Sequence, residues 1–79
     1  MPDYVDLVGY MVRALVAHPD AVAVSGEGAD RRVRLEVRVA PDDIGLVIGR
    51  HGRHIEAIRS VARSAALRHQ QQVQVEVAE

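Results

Sequence analysis

Two periodicities run along this chain and divide it into elements. Between Asp3 and His18, the apolar residues Tyr4, Leu7, Val8, Met11, Val12 and Leu15 recur three and four apart, which predicts an amphipathic helix. Asp3 is placed to cap its start, and Pro19 forbids its continuation. Val5, Tyr10 and Val16 widen the apolar surface beyond one stripe, so this helix either packs on two sides or offers its second side to a partner. His18 is expected to meet the C-terminal carbonyls of the helix. Ala21 to Ser25 is a short valine-rich strand, followed by the turn cluster Ser25-Gly26-Glu27-Gly28-Ala29-Asp30. From Arg31 to Val39 the period drops to two. Val33, Leu35, Val37 and Val39 alternate with Arg32, Arg34, Glu36 and Arg38, as in a strand with one face on a core and the other in water.

Pro41 with Asp42 or Asp43 starts a short helix through Ile44, Leu46, Val47 and Ile48, which Gly49 ends. From Arg53 to about His69, Ile55, Ile58, Ala62, Ala65 and Ala66 mark a long amphipathic helix. The polar junction Gln70-Gln71-Gln72 leads into a last alternating run, Gln72 to Ala78, with Val73, Val75 and Val77 on one side. The order is α-β-β-α-α-β. The first two strands form an antiparallel hairpin, and the two helices between the second and third strands allow those to lie parallel and adjacent. The expected fold is therefore α+β in two layers, a three-stranded mixed sheet with three helices on one face. Residues 1–79 read as a single domain, since a chain of 79 residues has little room for two cores.

Composition narrows the function classes. The chain is 48% hydrophobic and 27% charged, which fits a folded globular domain rather than a disordered one. No cysteine is present, which excludes disulfides, thiolate metal sites and cysteine nucleophiles and fits a reducing cytoplasm. Asp3, Asp6 and Arg13 break up the apolar start, so neither a targeting signal nor a membrane span is read there, and no membrane association is expected. The net charge of -1 argues against binding nucleic acid through bulk positive charge, but the charge is unevenly placed. Residues 1–30 hold five acids and one Arg, whereas residues 50–69 hold five Arg, three His and one Glu. All ten basic residues are Arg, whose planar fork suits phosphate or carboxylate, but all-Arg usage is more readily a matter of genome composition, so the placement of the Arg residues tells more than their identity.

The chemistry concentrates where two helices meet, at Val47-Ile48-Gly49-Arg50-His51-Gly52-Arg53-His54-Ile55. Glycines at both ends of the turn open left-handed conformations and let a sugar-phosphate backbone approach the main chain. The start of the long helix favours anions, and Arg50 and Arg53 add charge there. Ile44, Val47 and Ile48 form an apolar wall beside this rim. Such a groove suits a single strand with its phosphates outside and its bases turned inward.

These residues resemble the KH domain, whose mark is Ile-Gly-x-x-Gly-x-x-Ile between two helices, here Ile48-Gly49-Arg50-His51-Gly52-Arg53-His54-Ile55. The element order is similar to the type II arrangement. Asp43-Ile44-Gly45, Gly52-Arg53 and Ala57-Ile58-Arg59 resemble the small bacterial single-KH proteins, and Leu46 stands where those often carry a basic residue. The resemblance implies a cytoplasmic single-stranded RNA-binding protein, an RNA chaperone or post-transcriptional regulator. It further implies a homodimer, or a heteromer with a larger KH-containing Jag-type protein, or both. The backbone clamp would be Gly49, Arg50, His51 and Gly52, with Arg53 and Arg59 adding charge, Ile44, Val47, Ile48 and Ile55 shaping the groove, and Val37 and Arg38 along its strand side. A second reading makes the chain a protein-interaction subunit whose partner contacts most of the RNA.

Competing chemistries lack their residues. The loop has no Gly-Lys followed by Ser or Thr, and it follows a helix where a dinucleotide fingerprint would follow a strand. His51 and His54 have no cysteine and no well-spaced acid to complete a metal site, so no metal or other cofactor is expected. Asp42 and Asp43 read as helix-start residues, and no catalytic constellation emerges. Arg59, Arg63 and Arg68 are either a phosphate-tracking surface or a solvated helix face.

Overall fold

The computed structural model describes residues 3–78. Its elements run α1 (Tyr4–Leu15), β1 (Ala23–Ala29), β2 (Arg32–Arg38), α2 (Ile44–Ile48), α3 (Arg53–Leu67) and β3 (Gln72–Val77), with 3-10 turns at Pro19–Ala21, Pro41–Asp43 and Arg50–Gly52. β2 is the middle strand: it pairs antiparallel with β1 and parallel with β3. Val33, Leu35 and Val37 of β2 and Val73 and Val75 of β3 face inward. There they meet Tyr4, Val8 and Val12 of α1, Val47 of α2, and Ile55, Ile58, Ala62 and Ala66 of α3. Leu35 is fully buried, and a side chain of that size contributes about 1.5–3 kcal/mol. The α+β expectation holds, including the mixed sheet and the helices on one face.

Two boundaries differ from the sequence reading. First, α1 stops at Leu15 because Val16 is already extended, so the Asp3–His18 range is too long. Second, β1 runs through most of the glycine cluster expected to turn. Gly26 faces the core, where a Cβ would come within 2.9 Å of Leu35 and 3.2 Å of Val5, so its lack of a side chain admits α1 close to the sheet. The reversal itself falls at Asp30 and Arg31.

The polar junction after α3 forms a helix stop. Gln70 is left-handed at φ +57°, the Gln71 amide donates to the Ala66 carbonyl at 3.0 Å, and the Gln70 amide to Leu67 at 3.1 Å. This is the Schellman pattern with glutamine in the place usually held by glycine. The Gln71 side chain then ties three elements: it accepts from the Tyr4 hydroxyl at 2.5 Å and donates to the Asp30 carbonyl at 2.9 Å.

Asp43 corrects the reading of both Asp43 and His18. The residue is 1% exposed, and its side chain does not cap α2. Instead it reaches back to the segment after α1, where it accepts the Ala17 amide at 3.3 Å, the His18 amide at 2.9 Å and the His18 ring Nδ1–H at 3.2 Å. His18 therefore pairs with this carboxylate rather than with helix carbonyls. The physical reason is that a buried carboxylate must find donors, and two backbone amides leaving α1 supply them. Burial pushes the Asp43 carboxyl up, but the His18 and Ala17 amides and the His18 ring outweigh it and hold the group below its ordinary 3.8.

Asp43→Asn places a donor opposite the His18 amide and should lower the melting temperature by on the order of 5–10 °C near neutral pH. A folded pKa below the ordinary value gives stabilisation that is complete above 3.8 and lost as pH falls through the depressed value. Circular-dichroism melts should therefore show the gap between wild type and variant narrowing as pH drops below 3.8. A gap independent of pH would refute the charge-based account.

Candidate nucleic-acid interface

The loop between α2 and α3 is built from three departures from helical geometry within four residues. Gly49 sits at φ 77°, ψ 170°, a combination essentially confined to glycine. His51, at φ 58°, ψ 24°, is left-handed, a state that histidine tolerates better than most residues. Gly52, at φ 75°, ψ 17°, is left-handed as well and leads into α3. The two glycines serve different ends. At Gly49 a Cβ would lie 2.6 Å from Cγ of His54 and 2.9 Å from its backbone nitrogen, so both conformation and space demand glycine. At Gly52 a Cβ would meet nothing closer than Ile55 at 3.9 Å, so conformation alone demands it.

The turn closes on itself through the Gly49 amide to the Gly45 carbonyl at 2.9 Å and the Gly52 amide to the Gly49 carbonyl at 3.1 Å. The amides of Arg50 and His51 take no part in those turn bonds. The side chains of Arg50, His51 and Arg53 are exposed, and none of them joins an ion pair among the described residues. Ile44 and Ile48 are half-buried on the adjoining surface of α2, where open space beside Gly45 lets another main chain approach. Free donors, unpaired guanidinium groups and an apolar ledge thus meet within a few residues.

Other expected site residues lie elsewhere. Val47 and Ile55 are 0% and 5% exposed, so they hold the loop from beneath and present no surface to a ligand. Val37 is buried, and Arg38 points from the opposite face of the sheet, where it pairs with Glu36 at 3.0 Å. Arg59 is half-buried and engaged. Its Nε donates to the Val75 carbonyl at 3.1 Å and its Nη1 to Glu56 at 2.8 Å. It belongs to the scaffold between α3 and β3 rather than to a free phosphate contact. Arg63 and Arg68 are exposed on α3 and join no ion pair among the described residues.

One residue of the loop's structure escaped the sequence reading. His54, in the first turn of α3, donates from Nδ1 to the Leu46 carbonyl of α2 at 2.7 Å. It thereby satisfies a carbonyl that the end of α2 leaves without a helical donor. The signal lies in a spacing of eight residues across a turn, which helical periodicity does not expose. Among the described residues no three His, Asp or Glu side chains gather as metal ligands, and no helix is long and apolar enough to cross a membrane.

The family model described as KhpA/KhpB, KH domain, matches residues 5–77. The chain belongs to the KhpA/KhpB KH-domain family. The RNA-binding protein KhpA of Caldanaerobacter subterraneus subsp. tengcongensis is 42% identical over 72 residues, covering 91% of this chain and 96% of that protein. The KhpA of Bacillus subtilis is 38% identical over 72 residues, covering 91% and 89%. That of Streptomyces coelicolor is 48% identical over 52 residues, 66% of each chain. Among solved structures, Era in complex with MgGDPNP and nucleotides 1506–1542 of 16S ribosomal RNA superimposes with a TM-score of 0.70 over 98% of this chain, at 18% identity. The chain spans about 30% of that protein, and at this identity the likeness is one of fold.

The unequal demands on the two glycines predict unequal costs. Gly52→Ala should cost about 1–2 kcal/mol, the left-handed penalty for an L residue. Gly49→Ala adds a clash with His54 and should cost about 2–4 kcal/mol. Urea denaturation would measure both, and equal costs would contradict the contact drawn between Gly49 and His54.

Proposed function

We propose that this chain binds single-stranded RNA through the loop Gly49-Arg50-His51-Gly52 and acts as an RNA chaperone or post-transcriptional regulator. The observation that carries this reading is the loop itself. Its backbone is held open by two glycines in positive φ, the Arg50 and His51 amides stand outside the turn bonds, and three basic side chains that join no ion pair among the described residues stand beside an apolar ledge. Phosphates lie against the amides and Arg50 and Arg53, while bases rest on Ile44 and Ile48. Val47, Ile55 and Arg59 act from behind by fixing α2 and α3. The family membership and the KhpA relatives described as RNA-binding proteins support the same ligand.

The role is one of binding and not catalysis: a shallow surface without paired acid and base leaves nothing to drive bond breaking. The domain comprises residues 1–79 and works in the cytoplasm. It acts as a homodimer or beside a larger KH-containing Jag-type protein, because a clamp on about four nucleotides is weak alone and gains from multivalency. Tyr10 and Leu67, 77% and 73% exposed, offer apolar surface for such association.

Fluorescence anisotropy with a labelled single-stranded RNA across a salt series tests the reading. Three or four phosphate contacts should give a log-log slope of about -2 to -3. Arg50→Asp combined with His51→Asp should weaken binding at least about tenfold while leaving the circular-dichroism spectrum intact. Binding indifferent to that change would remove the loop from the interface.

A further inference from the structure

The ring of His54 occupies a position that neither its exposure nor the Gly-x-x-Gly pattern explains. It lies across the mouth of the loop, with Nδ1 2.7 Å from the Leu46 carbonyl oxygen on one side of the turn. Its Cγ and Nδ1 also lie against Gly49, so close that a Cβ there would come within 2.6 Å and 2.9 Å of them. The hydrogen bond therefore joins the last turn of α2 to the first turn of α3, and the ring fills the volume that a side chain at Gly49 would take. Between these anchors lie the four residues assigned to the RNA backbone.

We propose that His54 is a positioning residue for RNA binding: a latch that holds the Gly49–Gly52 backbone in its ligand-ready conformation through the Leu46 carbonyl. This inference rests on the RNA-binding reading of the loop. A carbonyl oxygen can only accept, so the hydrogen of a neutral His54 ring must sit on Nδ1, the less common tautomer of free histidine, which leaves Nε2 as the acceptor. Gly49 in its glycine-only conformation and left-handed His51 and Gly52 are otherwise free to relax to other states. Each relaxation would have to be reversed on binding, at a cost in entropy. The latch moves that ordering from the binding event to the folding of the domain. His54 thus raises affinity without touching the ligand.

Two measurements decide it. Long-range proton–nitrogen spectra of the free wild-type protein above the histidine titration should show the His54 hydrogen on Nδ1. RNA affinity should then follow the donor rather than the ring. His54→Ala removes it, and His54→Gln moves it one bond too far; each should weaken binding about 3- to 10-fold, the worth of one hydrogen bond. His54→Asn, whose Nδ2 stands the same number of bonds from Cα as Nδ1, should recover most of the affinity. A hydrogen on Nε2, wild-type affinity in His54→Ala, or His54→Asn as weak as His54→Ala would each overturn the latch while leaving RNA binding by the loop intact. A wild-type chain that binds no RNA would instead overturn the loop reading and, with it, the positioning role of His54.

Discussion

The buried carboxylate of Asp43 is the constraint on which the candidate interface depends. Twenty-five residues separate it from His18, yet it takes up amides that α1 can no longer use, and so fixes where the chain leaves α1 and where it enters α2. α2 has only five residues, too few to hold its own position by helical hydrogen bonds. It is held at its start by Asp43, in its middle by His54 through the Leu46 carbonyl, and towards its end by Val47 in the core. The loop's geometry is the sum of these three restraints. A carboxylate with every donor in place is a good anchor because any shift would leave it buried and unpaired, which costs more than the bonds themselves contribute.

Charge placement follows a similar logic of local commitment. On the outer sheet face Arg34 of β2 meets Glu76 of β3 at 2.8 Å and Arg38 meets Glu36 of its own strand at 3.0 Å, so those guanidinium groups are largely neutralised within the sheet. Two of the acids flanking the loop in sequence are engaged: Glu56 holds Arg59, and Asp43 holds His18. A chain with a net charge of -1 thus keeps its local positive potential where backbone donors also stand free.

What could be read from the sequence was what nearest neighbours dictate. The period of two in β2 and β3 places Val33, Leu35, Val37, Val73 and Val75 inside, and the two-helix crossover between them makes the strands parallel. The Gly-x-x-Gly turn was equally visible, because left-handed backbone is a local demand. The misreadings share a cause. Gly26 looked like a turn residue but is a point of helix-on-sheet contact; Asp43 looked like a cap but bonds 25 residues away; Arg59 looked like a free cation but reaches the backbone of β3. Each is decided by a partner distant in sequence, about which local propensity is silent. His54 is the intermediate case, tied across one turn to a carbonyl that only the three-dimensional path of the loop brings near.

The contact between Arg59 and Val75 has a consequence for the solution behaviour of the domain. β3 is an outer strand, and the amides of Gln72 and of Ala78 just beyond it are spent on Arg31 and Val37 on the β2 side, so by alternation the carbonyl of Val75 points outward along the open border. Such a border is a template on which another extended chain can add itself, the first step of edge-to-edge aggregation. The guanidinium of Arg59 covers the acceptor near the middle of that border and sets a charge beside it. An incoming strand would forfeit its central hydrogen bond and face a fixed cation. The domain is thereby protected from growing into a continuous sheet, without a bulge or a proline in the strand to do so.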